Sequence, residues 1–133
     1  MTDELKDWTS IETPQDIRLV VADMDGTLLD ADSELPLGFW PMLDRLEQRG
    51  IAFVPASGRQ YQTLQQMFAR AGRPMSVIAE NGNVVAVDGE VVETHGVNHG
   101  IADETISMVD ATSEDLGLVV CGLHSAYIQR ADA

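Results

Sequence analysis

Three short apolar runs, Ile17-Arg18-Leu19-Val20-Val21-Ala22, Ile51-Ala52-Phe53-Val54 and Ser76-Val77-Ile78-Ala79, alternate with stretches whose apolar residues recur at helical spacing. This alternation constrains the chain more than any other feature. Short β-rich runs separated by single helices specify parallel strands joined by right-handed crossovers, an open α/β sheet. From Leu37 to Arg49 the residues Leu37, Trp40, Leu43 and Leu46 share one helical face, Pro41 fits only near the first turn, and Gly50 supplies a stop. Tyr61, Leu64, Met67 and Phe68 mark the next helix, closed by Gly72.

Strand style changes after Glu80-Asn81-Gly82. Val84-Val85-Ala86-Val87 and Glu90-Val91-Val92-Glu93 flank Asp88-Gly89, a two-residue hairpin signal. The change suggests a second, smaller layer beginning near residue 84, with residues 1–83 as a core domain and 84–133 as the start of another. An acidic amphipathic helix is expected between Ile101 and Glu114, with strands over Leu118–Leu123 and Ala126–Gln129.

Charge narrows the partners. Against 8 basic residues stand 22 acidic ones, a net charge of −14 that repels nucleic acid and anionic lipid alike. No apolar run approaches the ~20 residues of a membrane span, and Met1 to Ser10 lack the basic-then-apolar order of a leader, so a cytoplasmic protein is the simplest expectation. The single cysteine, Cys121, sits in Leu118-Val119-Val120-Cys121 and is expected to pack as a small buried hydrophobe.

The chemistry concentrates at two strand ends. Asp23-Met24-Asp25-Gly26-Thr27 sets two carboxylates two residues apart just past the first apolar run, and parallel sheets bind ligands at the carboxyl ends of their strands. One carboxylate can attack phosphorus to give an acyl phosphate, and its neighbour can protonate the leaving oxygen and later deprotonate water. Two acids beside a phosphate dianion call for a hard cation, Mg²⁺ before others. Gly26 permits a tight turn with amides facing a phosphate, and the Thr27 hydroxyl adds a donor. A bare Asp-x-Asp-Gly is as often a solvated turn. A calcium loop fails on spacing, since its glycine is sixth and Gly26 is fourth from Asp23. At the second strand end, Ser57-Gly58-Arg59 precedes a helix, so Ser57 reads either as an anion-binding hydroxyl or as a helix N-cap.

Asp23-Met24-Asp25-Gly26-Thr27-Leu28-Leu29-Asp30 resembles the first motif of the haloacid dehalogenase superfamily, and Pro55-Ala56-Ser57-Gly58-Arg59 resembles its second in the form found in Cof-type sugar-phosphate phosphatases. Asn81-Gly82 followed by a hairpin is similar to the entry to the α/β cap of those enzymes. The resemblance implies a Rossmann-like core, incomplete here, followed by the start of that cap. It also implies Asp23 as nucleophile and Mg²⁺ ligand, Asp25 as general acid/base and ligand through its backbone carbonyl, and Ser57 as phosphate-binding hydroxyl. Thr27 matches the residue that helps orient the acid, while Gly26, Gly58, Arg59 and Asn81 match positions lining the phosphate and the substrate entrance. The implied substrate is a small phosphorylated metabolite, a sugar phosphate in particular.

Two features of that family have no counterpart. The only lysine, Lys6, precedes the first motif, and no Gly-Asp pair follows Ser57, so the cation and the metal-binding loop of the third and fourth motifs are missing. A truncated polypeptide of very low activity is the expectation, with its first strand left as a sheet edge open to self-association. The rival readings are a non-catalytic module that keeps a Mg²⁺ and phosphate pocket, and a receiver-type signalling domain, which requires a late lysine that this chain lacks. His95, His99 and His124 lack the spacing of metal ligands and are expected on the surface.

Overall fold

The computed structural model describes residues 16–128. The expectations for Lys6 and Gln129 lie outside that range. Strands β1 (Leu19–Asp23), β2 (Ala52–Ala56) and β3 (Val77–Ala79) run parallel, and β4 (Val84–Val87) and β5 (Glu90–Thr94) follow antiparallel. All five form one sheet in the order β1-β2-β3-β4-β5.

The hairpin therefore extends the first sheet instead of opening a new layer at residue 84. Its register explains why: Val77 and Ala79 pair with Ala86 and Val84, and all four are buried on one face, so the hairpin completes the core that β3 begins. At its tip Gly89 has φ +82°, its carbonyl accepts from the Tyr61 hydroxyl at 2.7 Å, and a side chain there would run into the Pro74 ring.

Helices α1 (Phe39–Gln48) and α2 (Tyr61–Met67) connect β1 to β2 and β2 to β3. Two right-handed crossovers progressing the same way along a sheet place both helices on the same face. That face holds the core: Phe39 meets the rings of Trp40, Phe53 and Phe68 edge-on at 5.2, 5.3 and 5.6 Å, with Leu43, Leu64, Met24 and Met75 closing around them. α1 starts later than the expected Leu37 because the apolar stripe is anchored by Phe39 and Leu43, both buried, while Leu37 is 87% exposed. On the opposite face Val54, Ile78 and Val85 are half-buried, and Leu19 and Val21 of the edge strand β1 stand open.

Beyond β5 the packing thins. Helix α3 (His99–Ala111) buries no residue, and β6 (Val119–Cys121) pairs only with β7 (Ala126–Ile128) in a separate two-stranded sheet. Cys121 is exposed, correcting the expected buried position, because β6 has no layer above it; its sulfur accepts from Gln60 Nε2 at 3.0 Å. A second tie joins Gln62 Nε2 to the Leu123 carbonyl.

Candidate active site

The turn after β1 is built by Asp25 and Gly26. Gly26 takes φ +75°, which glycine enters without steric cost, and the Leu29 amide closes the turn on the Met24 carbonyl at 2.9 Å. Met24 points into the core, fully buried, so the residues on either side of it, Asp23 and Asp25, face solvent at the carboxyl end of β1. The alternation that buries Met24 is what presents the two acids.

Thr27 Oγ1 donates to Asp23 Oδ2 at 3.0 Å. Thr27 thus holds the candidate nucleophile, whereas the resemblance had it orienting the acid. Asp25 is held from the other strand end: Arg59 Nε and Nη2 reach its two carboxylate oxygens at 3.1 and 2.5 Å, a bidentate fork that fixes direction as well as distance. The hydrogen bonds from Arg59, with burial opposing and the guanidinium charge assisting, hold the Asp25 carboxyl below the usual aspartate range. In this arrangement Asp25 accepts protons and hydrogen bonds but does not donate. Arg59 is therefore a partner of Asp25 here, and its Nη1 also donates weakly to the Met67 sulfur at 3.7 Å.

Register places Asp23 level with Ala56, one residue before Ser57, so both loops leave the same edge of the sheet. Ser57 is 8% exposed; its amide donates to the Ile78 carbonyl at 2.9 Å and its Oγ accepts from the Arg59 amide at 3.1 Å. Among the described residues the hydroxyl proton meets no acceptor. The N-cap alternative is not what the structure has, because α2 begins at Tyr61 with Gln60 as its cap.

The turn after β3 braces this loop. Glu80 and Asn81 both adopt positive φ, 52° and 57°, a conformation that costs non-glycine residues about 1–3 kcal/mol each and persists only where surroundings enforce it. The enforcement is visible: the Glu80 amide donates to the Arg59 carbonyl at 3.0 Å and the Asn81 amide to the Ser57 carbonyl at 3.1 Å. The Asn81 side-chain amide also lies so close to Gly58 that a Cβ added there would come within 3.0 Å of Oδ1. Glu80 was not singled out from the sequence, yet its Oε1 is enclosed and has no hydrogen-bond partner among the described residues. Its place between Ala79 and Asn81, at the end of the third strand, was the available signal.

For a metal, the chain offers the Asp23 carboxylate and the Asp25 backbone carbonyl, both hard oxygen donors. Among the described residues no cluster of three or more His, Cys, Asp or Glu side chains forms a cage. One carboxylate with few other protein ligands fits Mg²⁺, which keeps several waters and shares its shell with substrate phosphates, better than it fits a cation needing a full protein cage.

A family model for haloacid dehalogenase-like hydrolases matches residues 20–133, and the chain belongs to that family. Among curated relatives it is similar to the 5-amino-6-(5-phospho-D-ribitylamino)uracil phosphatase YbjI of Escherichia coli, 33% identical over 112 residues, which are 84% of this chain and 41% of that protein. It is also similar to an HMP-PP phosphatase of Cronobacter sakazakii, 32% identical over 74% of this chain and 37% of that protein. A crystal structure of a protein from Geobacillus kaustophilus superposes with a TM-score of 0.77 at 24% identity, covering 88% of this chain and 44% of that one, and shows the shared fold. The chain spans less than half the length of these relatives.

Proposed function

We propose that this polypeptide carries the nucleophile-bearing part of a Mg²⁺-dependent phosphatase acting on a small phosphorylated metabolite of the sugar-phosphate kind, in the cytoplasm. The observation that carries the reading is the solvent-facing Asp23 carboxylate, held by Thr27 at the carboxyl end of β1 beside the Ser57 loop. Relatives with phosphatase names support it.

In the first step an Asp23 carboxylate oxygen attacks phosphorus, the P–O ester bond breaks, and the leaving oxygen takes a proton from Asp25. In the second, Asp25 removes a proton from water, which attacks phosphorus and releases Asp23 and inorganic phosphate. Asp25 must come free of Arg59 to serve as the donor, so Arg59 is the residue that has to yield when substrate enters. Ser57, Gly58 and the turn at Gly26 and Thr27 donate to the phosphoryl oxygens, and Asn81 borders the entrance. Mg²⁺ bound at Asp23 and the Asp25 carbonyl would offset the anionic charge of acids and phosphate.

We place the domain division after β5 in preference to residue 84, with α3, β6 and β7 as the beginning of a cap. Among the described residues the nearest cation, Arg59, is already committed to Asp25, so turnover by this polypeptide alone is very low. Hydrolysis of p-nitrophenyl phosphate with Mg²⁺ tests this against Asp23→Asn. Weak turnover lost in the variant supports the reading, and turnover untouched by the variant overturns it. The same shortage of cations favours a second reading, a module that binds phosphate and Mg²⁺ without turning over; phosphate-dependent shifts of the Thr27 and Gly58 amides with no hydrolysis would select it.

A further inference from the structure

The Arg59 guanidinium is shared unequally between two partners. Nε and Nη2 grip the Asp25 carboxylate at 3.1 and 2.5 Å, which leaves Nη1 to the Met67 sulfur at 3.7 Å. Among the described residues Nη1 has no other acceptor, and a thioether is a weak one, so this end of the guanidinium is barely held. Met67 is the last residue of α2 and is half-buried, and it borders an open cavity of about 480 Å³ through which small solutes reach its sulfur. The other described methionines differ in one respect or the other. Met24 and Met75 are enclosed in the core, whereas Met42 and Met108 are open to solvent and make no side-chain hydrogen bond among the described residues. Only Met67 joins an accessible sulfur to a residue that holds the candidate acid.

We propose that Met67 is a site of reversible oxidation whose sulfoxide locks Arg59 onto Asp25. The lock follows from the contacts themselves, while its effect on turnover rests on the phosphatase reading above. The co-reactant is a hydroperoxide. A sulfur lone pair attacks one peroxide oxygen, the O–O bond breaks, and the second oxygen leaves with the proton as water or an alcohol, so that sulfur is oxidised and the peroxide reduced. The new oxygen is a polar acceptor on an atom already in contact with Nη1, and it takes up the N–H that the thioether holds weakly. It does not compete with Asp25, because the carboxylate uses Nε and Nη2. A guanidinium held from both ends must give up a further hydrogen bond before it can yield to substrate. Asp25 then stays ionised and fails to protonate the leaving oxygen. Methionine sulfoxide reductases reverse the modification and free Arg59 again.

The test treats the full chain with hydrogen peroxide, follows Met67 by peptide mass mapping, and reads the exchange of the Arg59 Nε–H with solvent by NMR. Oxidation is expected to slow that exchange about tenfold, with recovery after reductase treatment. Met67→Leu conserves volume and keeps Met42, Met108 and the exposed thiol of Cys121 for peroxide to attack, so peroxide should leave its Arg59 signal unchanged. Met67→Gln puts an amide oxygen near Nη1 and should show slow exchange without peroxide. Met67 left unoxidised while Met42 and Met108 convert, an Arg59 signal indifferent to oxidation of Met67, or an equal response in Met67→Leu overturns the proposal. Inorganic phosphate with Mg²⁺ is titrated separately into the reduced protein and read at the Thr27 and Gly58 amides. Silence there together with slowed Arg59 exchange defeats the phosphatase reading and leaves the lock standing, while a phosphate response without slowed exchange defeats the lock alone.

Discussion

Residues 19–94 and residues 95–128 follow similar local rules and reach different ends. Both contain strands and an amphipathic helix, but among the described residues every fully buried side chain lies between Met24 and Ala86. In the first region helix faces and strand faces meet one another. In the second, the half-buried stripe of Ala102, Ile106 and Val109 on α3 meets no buried partner, and Val119, Tyr127 and Ile128 of the small sheet are more than half exposed. Secondary structure follows from the local pattern, whereas stability follows from burial, and only the first region has both.

The sharpest way to break this contrast is to cut the same kind of side chain from each region. Phe68→Ala removes a fully buried ring from the aromatic cluster and should cost about 3–5 kcal/mol, a large share of the ~5–15 kcal/mol that a domain has. Met108→Ala, at a residue 68% exposed on α3, should stay within about 0.5 kcal/mol. Urea denaturation followed by circular dichroism compares them, and equal losses would mean that α3 is packed in solution.

Next in size is Gly89→Ala, expected to cost about 1–3 kcal/mol. The position combines φ +82° with the adjacent Pro74 ring, so the variant must either strain the turn or push the hairpin off α2. A melting temperature unchanged from wild type would show that the hairpin is not locked to the core.

Hydrogen exchange sharpens the comparison residue by residue. Amides of β2 and β3 should be protected to near the global unfolding free energy, and those of α3, β6 and β7 should exchange through local opening. Protection in α3 matching that of β3 would place both regions in one cooperative unit.

The parallel strands, the two crossover helices and the hairpin were legible because each rests on a period or a turn residue that local chemistry dictates. The joining of β4 to β3 was not, since Val84 and Ala86 read equally well as the start of a new layer; only the pairing partner decides. At the site, Asp23, Asp25 and Ser57 were legible from strand-end position. The roles of Thr27 and Arg59 were not, because which acid each one grips depends on the turn at Gly26 and on a contact 34 residues apart in sequence. Glu80 escaped notice because its positive φ and enclosed oxygen leave no trace in residue type.

The smallest expected effect concerns the Arg59–Asp25 pair, which links the two loops inside the well-packed region yet sits at its surface. Asp25 titrates below the ordinary aspartate value of ~3.9 because Arg59 stabilises its carboxylate. A carboxyl whose folded pKa is depressed contributes stability above its unfolded pKa and loses it as pH falls through the folded value. The stability difference between wild type and Arg59→Met should thus be present at neutral pH and fade below about pH 4. It should also shrink with added salt, because the Asp25 side chain is 57% exposed and its pairing is screened. An NMR titration of the Asp25 carboxyl carbon checks the cause directly, with the midpoint rising to the ordinary range in Arg59→Met. A midpoint that does not move would mean that the fork opens in solution, leaving Asp25 free to act as a proton donor without waiting for substrate.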